Sequence, residues 1–191
     1  MRVLVTYASR HGSTRGIAER IAETIERQGL EVTLRPIGQD GSVLPFDAYV
    51  IGSAAYMNSW LKEATAFVRE HQQILAGRPV WLFSSGPLGT DRVDKKGRDV
   101  IEASIPAEFR TFAATLKPRD EHVFFGAWDP NAEPAGIADR FVRGFTGLFP
   151  SIKSSMPFGD FRDWREIEAW AEGIARELLG SSIAAPVATP A

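Results

Sequence analysis

Short apolar runs alternate along the chain with segments in which apolar residues recur every three or four positions. Consecutive apolar residues indicate strands that are covered on both faces, whereas the longer spacing indicates helices with one buried side. Strands that alternate with helices are typical of βαβ units around a parallel sheet. The predicted strands cover residues 3–7, 31–35, 48–53, 80–84 and 122–127.

The predicted helices carry clear apolar stripes. Ile17, Ile21 and Ile25 lie one turn apart, and Gly29 follows where the end of a helix favours glycine. Asp163 precedes the last stripe and is predicted to cap that helix. The other stripes are Trp60, Leu61, Ala64, Phe67 and Val68; Phe109, Phe112, Ala113 and Leu116; and Trp164, Ile167, Trp170, Ala171, Ile174 and Leu178.

Five strands joined by helices predict an α/β fold, a doubly wound five-stranded parallel sheet with helices on both faces. Two strand orders are common in such sheets, and a glycine-containing turn after the first strand favours the order 2-1-3-4-5. We expect one domain over residues 1–179, including an inserted helical segment at about 135–155. Residues 180–191 are small residues and proline, which predicts a disordered tail.

Composition narrows the possible functions. The 191 residues are 44% hydrophobic and 24% charged, enough to build a core without metals or disulfides. There is no cysteine, so disulfides, iron–sulfur clusters and thiol nucleophiles are excluded, and redox chemistry would need a bound cofactor. The net charge of -2 argues against a nucleic-acid partner. The histidines lack the spacing of metal ligands, and no metal is expected.

The chain begins with a strand pattern, and it has no apolar run of the length that a membrane span needs. We therefore expect a soluble cytoplasmic protein, with peripheral contact at the inner face of a membrane left open.

The turn after the first strand, residues 9–14, is called the first loop. Backbone N–H groups at a helix start and the helix dipole attract anions, so this loop predicts a phosphate site. Neither a Gly-x-Gly-x-x-Gly motif nor a Walker loop is present. An ordinary hydroxyl-rich turn is the alternative. The predicted binding residues are Ser9, Arg10, His11, Gly12, Ser13 and Thr14.

The second loop (residues 54–60) and the third loop (residues 84–90) combine small residues with apolar bulk. Such a combination suits a flat ring whose edge is bonded by backbone groups. The alternative for Tyr56, Met57 and Trp60 is core packing, which we favour for Trp60 because it fits the stripe of the next helix. The predicted ring contacts are Ala54, Ala55, Tyr56, Met57 and Asn58, with Ser85, Gly86, Pro87, Leu88 and Gly89.

The pattern Ser9-x-x-Gly12-x-Thr14 resembles the flavodoxin phosphate loop, usually Ser/Thr-x-Thr-Gly-x-Thr, with His11 at the central threonine position. Over residues 1–179 the chain is similar to the menaquinone-dependent protoporphyrinogen dehydrogenase group of short flavodoxins. The resemblance implies one non-covalent FMN at the carboxyl ends of the strands, with a quinone and a porphyrinogen as substrates. The motifs that carry it are Tyr7-Ala8-Ser9-Arg10, Phe125-Gly126-Ala127, Asp139-Arg140-Phe141 and Asp163-Trp164.

The inserted segment carries an aromatic stripe and positive charge: Ile137, Phe141, Phe145 and Phe149, with Arg140, Arg143 and Lys153 nearby. By resemblance it lies beside the flavin, on the side that faces substrate or membrane. A basic aromatic helix can also lie at a lipid interface. Packing on its own domain is the alternative that we favour, because phenylalanine stripes usually belong to a core.

Three functions stay open at this point. The leading hypothesis is an FMN-dependent oxidoreductase, and it names no catalytic residue because the flavin supplies the chemistry. The second is an electron-transfer flavodoxin between redox proteins, although such carriers are usually more acidic than this chain. The third is a domain that keeps the fold without FMN. A homodimer is a further possibility.

Overall fold

Five parallel strands form the centre of the protein in the computed structural model, which describes residues 1–39, 43, 46–128 and 157–183. The strands of this sheet are β1 (Arg2–Ala8), β2 (Glu31–Pro36), β3 (Ala48–Tyr56), β4 (Ser59–Trp60), β5 (Val80–Ser85) and β6 (Asp120–Phe124). Their spatial order is β2-β1-β3-β5-β6, and the short strand β4 pairs antiparallel with β3. Counted as parallel strands alone this is 2-1-3-4-5, so the predicted order is confirmed.

Helices cover both faces of the sheet, as predicted. The helices are α1 (Ser13–Arg27), α2 (Lys62–Glu70), α3 (Gln72–Leu75), α4 (Val100–Ala103), α5 (Ala107–Leu116) and α6 (Trp164–Ile183). Helices α1 and α6 pack with one apolar cluster, and α2, α3 and α5 contribute to a second cluster on the other face.

Strand β1 shows why its sequence is almost continuously apolar, with Thr6 as its one buried polar residue. Val3, Val5 and Tyr7 belong to the cluster under α1 and α6. Leu4 and Ala8 belong to the cluster on the opposite face. Successive side chains of a strand point to opposite faces, so a strand covered on both sides has no position that favours a polar residue.

The ring of Phe83 on β5 lies over Gly52 of β3, so a side chain does not fit at position 52. A Cβ atom at this position would lie 1.9 Å from Cζ of Phe83, whose ring is fully buried. Gly52 therefore provides the space for the Phe83 ring within the sheet.

The start of α2 differs from the prediction. Trp60 lies in β4 rather than in the helix, because β3 continues to Tyr56 and turns back on itself. The Trp60 ring is buried, with its centroid 5.4 Å from that of Phe109 and 5.6 Å from that of Phe112. Core packing is thus the observed role of Trp60.

The fifth parallel strand is shorter than predicted. It ends at Phe124, and the chain then forms β7 (Ala127–Trp128), which pairs antiparallel with β8 (Gly159–Asp160). The departure occurs at Gly126, whose N–H donates to the carbonyl of Pro87 and whose carbonyl accepts from the N–H of Phe161. Neither bond continues the pairing with β5.

Helix α6 begins as predicted and ends later. Asp163 Oδ1 accepts from the backbone N–H groups of Arg165 and Glu166, which confirms the cap. The helix continues to Ile183, so residues 180–183 are not part of a tail. A helix with a buried face extends at little cost once formed, and the Ser181 hydroxyl donates to the carbonyl of Glu177. The inserted segment 135–155 and residues 184–191 lie outside the described residues.

Within the ranges described, no helix is long and apolar enough to cross a membrane. The same residues contain no cluster of side chains suited to hold a metal ion.

Replacing Gly52 with alanine should destabilise the fold, because the buried Phe83 ring has to move. Overpacking of a core costs about 1–3 kcal/mol, and each kcal/mol lowers the melting temperature of a chain of this size by about 2–4 °C. Gly173→Ala is the matched control, since a Cβ there meets nothing within 4 Å. Thermal unfolding checks the pair. An unchanged melting temperature for Gly52→Ala would contradict the packing described.

Replacing Glu121 with glutamine should change how stability depends on pH. Oε1 of Glu121 is buried and has no partner among the described residues, and burial raises the pKa of this carboxyl, with Asp120 adding to the effect. The folded state favours the protonated form of Glu121. The carboxyl group therefore stabilises the fold at low pH, and this stabilisation is lost as pH rises through the raised pKa. Glutamine does not ionise, so Glu121→Gln should remove this loss of stability.

We expect Glu121→Gln to gain stability relative to wild type between about pH 4 and neutrality. The gain should stay below about 1 kcal/mol, because the side chain is partly exposed and solvent screens its charge. Denaturant unfolding at several pH values measures it, with Glu31→Gln on the exposed side of β2 as control. A constant difference at all pH values would count against the explanation.

Candidate functional site

The first loop leaves the start of α1 open. Gly12 occupies the N-cap position with a left-handed φ of 80°, and no side chain forms a capping hydrogen bond. The first turn of α1 contains no acidic residue, and a Cβ on Gly12 would meet nothing within 4 Å. The first backbone N–H groups of a helix have no partner within it. They are therefore available to an anion here.

Two hydroxyls of the first loop are buried without a hydrogen-bond partner in the part of the chain that the structure describes. They are Ser9 Oγ and Thr14 Oγ1, and Thr14 is fully buried. An unsatisfied buried polar group costs about 1–3 kcal/mol and is rare in native proteins. An anion with several acceptor oxygens would satisfy both hydroxyls.

Ser13 connects the first loop to two neighbouring segments. Its Oγ accepts from the N–H of Ala127 at 2.8 Å and lies 3.2 Å from Oγ of Ser85. The hydroxyl is thus engaged within the protein. Ser13 can offer the predicted anion site its backbone N–H and, where Ser85 is the donor between the two hydroxyls, its own O–H.

The two remaining side chains of the first loop, Arg10 and His11, have different surroundings. Arg10 forms an ion pair of 3.1 Å with Glu63 of α2, which ties the loop to that helix. His11 is exposed and lines the cleft next to Gly12.

A cleft of about 650 Å³ opens beside the first loop, between the start of α1 and the β7–β8 pair. Its volume lies within the range of about 300–1,000 Å³ found for small-molecule sites. The lining residues are His11, Gly12, Ser13, Ala127, Trp128, Phe158, Gly159, Asp160 and Arg162.

An arginine in this cleft is fixed by several contacts. Nε and Nη2 of Arg162 donate to the two carboxylate oxygens of Asp160 at 2.7 and 2.6 Å. Nη1 donates to the carbonyl of Ser13 at 3.3 Å, and the guanidinium lies 4.3 Å from the ring centroid of Trp164. The hydrogen bonds from Arg162 hold the pKa of the Asp160 carboxyl below its usual value.

The second loop is a β-hairpin with a strained tip. Met57 and Asn58 have φ values of 50° and 56°, the arrangement of a two-residue type I′ turn. Asn58 is anchored, because its carbonyl accepts from the N–H of Ala107 at 2.9 Å and its amide donates to the carbonyl of Ala103. Tyr56 is 47% exposed and Met57 is 99% exposed, so neither is a core residue.

The third loop packs beside the second. A Cβ on Gly86 would lie 3.7 Å from Cβ of Ala55, and the N–H of Gly86 donates to the carbonyl of Phe124. Ala54 and Ser85 are paired on β3 and β5 and are buried. Ala54, Ala55, Ser85 and Gly86 therefore lie together at one edge of the sheet, and the contact between Ser13 and Ser85 connects them to the first loop. None of them lines the cleft described above.

A family model described as a flavodoxin domain matches residues 4–131, about two thirds of the chain. The chain belongs to the flavodoxin domain family. The match covers the three loops and the five parallel strands, except Arg2 and Val3 at the start of β1.

Solved structures agree with this fold. A flavodoxin from the domain Archaea has a TM-score of 0.56 at 15% identity, covering 94% of this chain and 99% of its own. A Streptococcus pneumoniae TIGR4 flavodoxin has a TM-score of 0.52 at 16% identity, covering 93% and 99%. Such low identities show the fold alone. No curated protein matches the chain.

A longer protein also contains this fold. The rubredoxin oxygen oxidoreductase from Desulfovibrio gigas has a TM-score of 0.56 at 15% identity, covering 96% of this chain and 37% of its own. This flavodoxin domain thus spans about a third of that protein. The comparisons support a flavodoxin-type fold and not the narrower resemblance to protoporphyrinogen dehydrogenases, which stays a prediction.

The β7–β8 wall of the cleft was not among the predicted site residues of this flavodoxin domain. Trp128, Phe158, Asp160 and Arg162 come together there through pairing of distant segments. The sequence offers one local signal: Asp160 and Arg162 are two positions apart, immediately before the cap of the last helix. That spacing allows an ion pair between them, but it does not show that the pair lies beside the first loop.

Proposed function

We propose that this flavodoxin domain binds one FMN non-covalently and acts in a redox reaction. The observation that carries the proposal is the pair of buried, unpartnered hydroxyls beside the uncapped start of α1. A phosphomonoester provides several strong acceptor oxygens and negative charge, both of which this loop lacks. When bound, FMN supplies hydride or one-electron transfer.

The first loop would hold the phosphate through three kinds of contact. Ser9 and Thr14 donate from their hydroxyls, the backbone N–H groups at the start of α1 donate along the helix axis, and the dipole of α1 attracts the negative charge. Hydrogen bonds to charged groups contribute about 1.5–3 kcal/mol each. Gly12 leaves room for this approach, since no residue other than its chain neighbours lies within 4 Å of the place a Cβ would take. The residues present fit the group.

The second and third loops would hold the ring. Met57 keeps a positive φ although it is not glycine, and strained backbone is often retained where function requires it. Anchoring of Asn58 to the segment around α4 and α5 fixes the hairpin tip. Tyr56 and Met57 are therefore presented at the sheet edge, where they can pack against an aromatic ring.

The reaction that we propose is that of an FMN-dependent oxidoreductase whose substrate is a quinone or a porphyrinogen. The substrate rests on the sequence resemblance, since no residue of the described site selects it. A carrier between redox proteins is the second candidate. It is favoured by the apolar hairpin tip, because Met57 is 99% exposed and the part of its side chain that does not pack on the ring can face a protein partner.

Cofactor extraction from the purified protein, followed by mass analysis, tests the FMN proposal directly. FMN in the extract supports it, and a colourless protein that binds neither FMN nor riboflavin refutes it. Turnover of protoporphyrinogen with menaquinone supports the enzyme. Rapid electron exchange with a redox protein, without turnover of either small molecule, supports the carrier.

Thr14→Val should maintain or raise the stability of the FMN-free protein and lower its affinity for FMN. Valine keeps the shape of threonine and removes only the unpartnered hydroxyl, so the FMN-free protein should keep or gain stability. FMN binding should weaken about 10-fold or more, since a hydrogen bond to a charged group is lost. Thermal unfolding and titration of flavin fluorescence measure the two effects.

Thr24→Val is the matched control, because the Thr24 hydroxyl is also buried in α1 but accepts from Nη2 of Arg27 at 2.9 Å. Thr24→Val should lower stability and leave FMN affinity unchanged.

The double variant Gly12→Val with Thr14→Ala should abolish FMN retention in a folded protein. Gly29→Val is its control, because it strains the other end of α1 and should leave FMN retention unchanged. Full FMN occupancy in that double variant would refute the phosphate site.

Met57→Gly should stabilise the FMN-free protein and weaken its hold on FMN. Glycine removes the strain of a left-handed residue, a gain of up to about 1 kcal/mol, but it also removes the side chain proposed to pack on the ring. Lys117→Gly is the control, since Lys117 has a φ of 50° at the end of α5, on another part of the surface. It should stabilise without changing FMN affinity. Equal FMN affinity in both variants would exclude Met57 from the ring site.

A further inference from the structure

We propose that Arg162 recognises the phosphate of the bound cofactor and makes the chain discriminate FMN from riboflavin. The inference rests on the proposed function and adds to it a cation that comes from outside the first loop. Asp160 acts as the positioning residue that holds the Arg162 guanidinium in place.

The location of Arg162 is the first observation. It lines the same cleft as His11, Gly12 and Ser13, and its Nη1 donates to the carbonyl of Ser13. A Cβ on Gly16 would lie 2.5 Å from Nη1. The guanidinium therefore lies against the first turn of α1, and glycine at position 16 makes this approach possible.

The charge at this place is the second observation. The start of a helix is its positive end, where a cation is unfavourable unless an anion accompanies it. The first turn of α1 supplies no acidic residue, and Asp160 is the counterion that the structure shows. A dianionic phosphate at the start of α1, where Gly12 and Ser13 border the cleft, would be attracted by both the helix and the guanidinium. The Arg162 side chain is only 15% exposed, so solvent weakens this attraction less than at an open surface.

The preorganisation of Arg162 is the third observation. The guanidinium is held by both carboxylate oxygens of Asp160 and lies over Trp164. A guanidinium has five N–H donors, and its hydrogen bonds to described residues use Nε–H, one on Nη1 and one on Nη2. One N–H on each terminal nitrogen remains for phosphate oxygens. A donor that is fixed before binding loses little conformational entropy when the ligand arrives.

Arg162→Gln tests the inference through the ratio of two affinities. FMN and riboflavin carry the same ring and differ in the phosphate, so fluorescence titration with both separates phosphate recognition from ring binding. We expect FMN affinity to fall about 10- to 100-fold, the loss of charge-assisted hydrogen bonds, and riboflavin affinity to change less than about twofold. The FMN-to-riboflavin ratio of the wild type should also fall with added salt, and that of Arg162→Gln should fall less.

Arg20→Gln is the matched control. Arg20 also lies over the Trp164 ring, at 5.0 Å, and is also paired with a carboxylate, Glu168 at 2.6 Å. It does not line the cleft. The variant changes net charge by the same amount, so it should leave the FMN-to-riboflavin ratio unchanged. An equal loss in both arginine variants would show a general effect of charge and overturn the inference.

Two further variants address side effects of Arg162→Gln. The double variant D160N/R162Q removes the carboxylate that the single change leaves unpaired, and it should lose FMN selectivity as the single variant does. Gly16→Ala keeps every charge and displaces Nη1, and it should lower FMN affinity selectively by about three- to tenfold. Thermal unfolding of each variant shows that it is folded.

The outcomes separate this inference from the proposed function. Selective loss of FMN in Arg162→Gln, in the double variant and in Gly16→Ala supports the role of Arg162. If the double variant keeps the wild-type FMN-to-riboflavin ratio, the role of Arg162 is refuted, and the proposal that the chain binds FMN is unaffected. Equal weakening of FMN and riboflavin also overturns it. A wild-type chain that binds neither flavin refutes both.

Discussion

The open start of α1 is the constraint on which the rest of the site depends. A helix that begins at a left-handed glycine, without a capping side chain or an acidic first turn, leaves its backbone donors unsatisfied. The protein adds two buried hydroxyls without partners to the same loop. This arrangement costs stability within the protein itself. Such a cost is explained where an external anion completes the hydrogen bonding. The flavodoxin fold places this loop at the carboxyl edge of the sheet.

Much of the fold could be predicted because it depends on local patterns. The short, largely apolar strands and the i, i+4 stripe of α1 each follow from neighbouring residues, and the observed sheet order agrees with them. The error at Trp60 has a physical cause. Type I′ turns usually contain glycine, but here Met57 and Asn58 adopt the positive φ values. Without the usual turn signal, the second hairpin strand could not be separated from the following helix.

The candidate site also has a part that local sequence predicts and a part that it does not. The first loop is contiguous in sequence, so its hydroxyls and glycine could be identified together. The opposite wall could not, because Arg162 and Ser13 lie 149 positions apart and meet only through the pairing of β7 with β8. Ser13 shows a further limit of sequence. Its hydroxyl suits a phosphate in isolation, yet in the fold it accepts from Ala127 and joins the loop to that wall.

The contact between Gly52 and Phe83 has a consequence for how this sequence can evolve. The two residues occupy one volume within the sheet, since the ring lies where a side chain on β3 would begin. A lineage that acquires a larger residue at position 52 must first reduce the residue at position 83, or both must change together. Among homologues, the two positions should therefore covary, with an aromatic ring at one accompanied by glycine at the other.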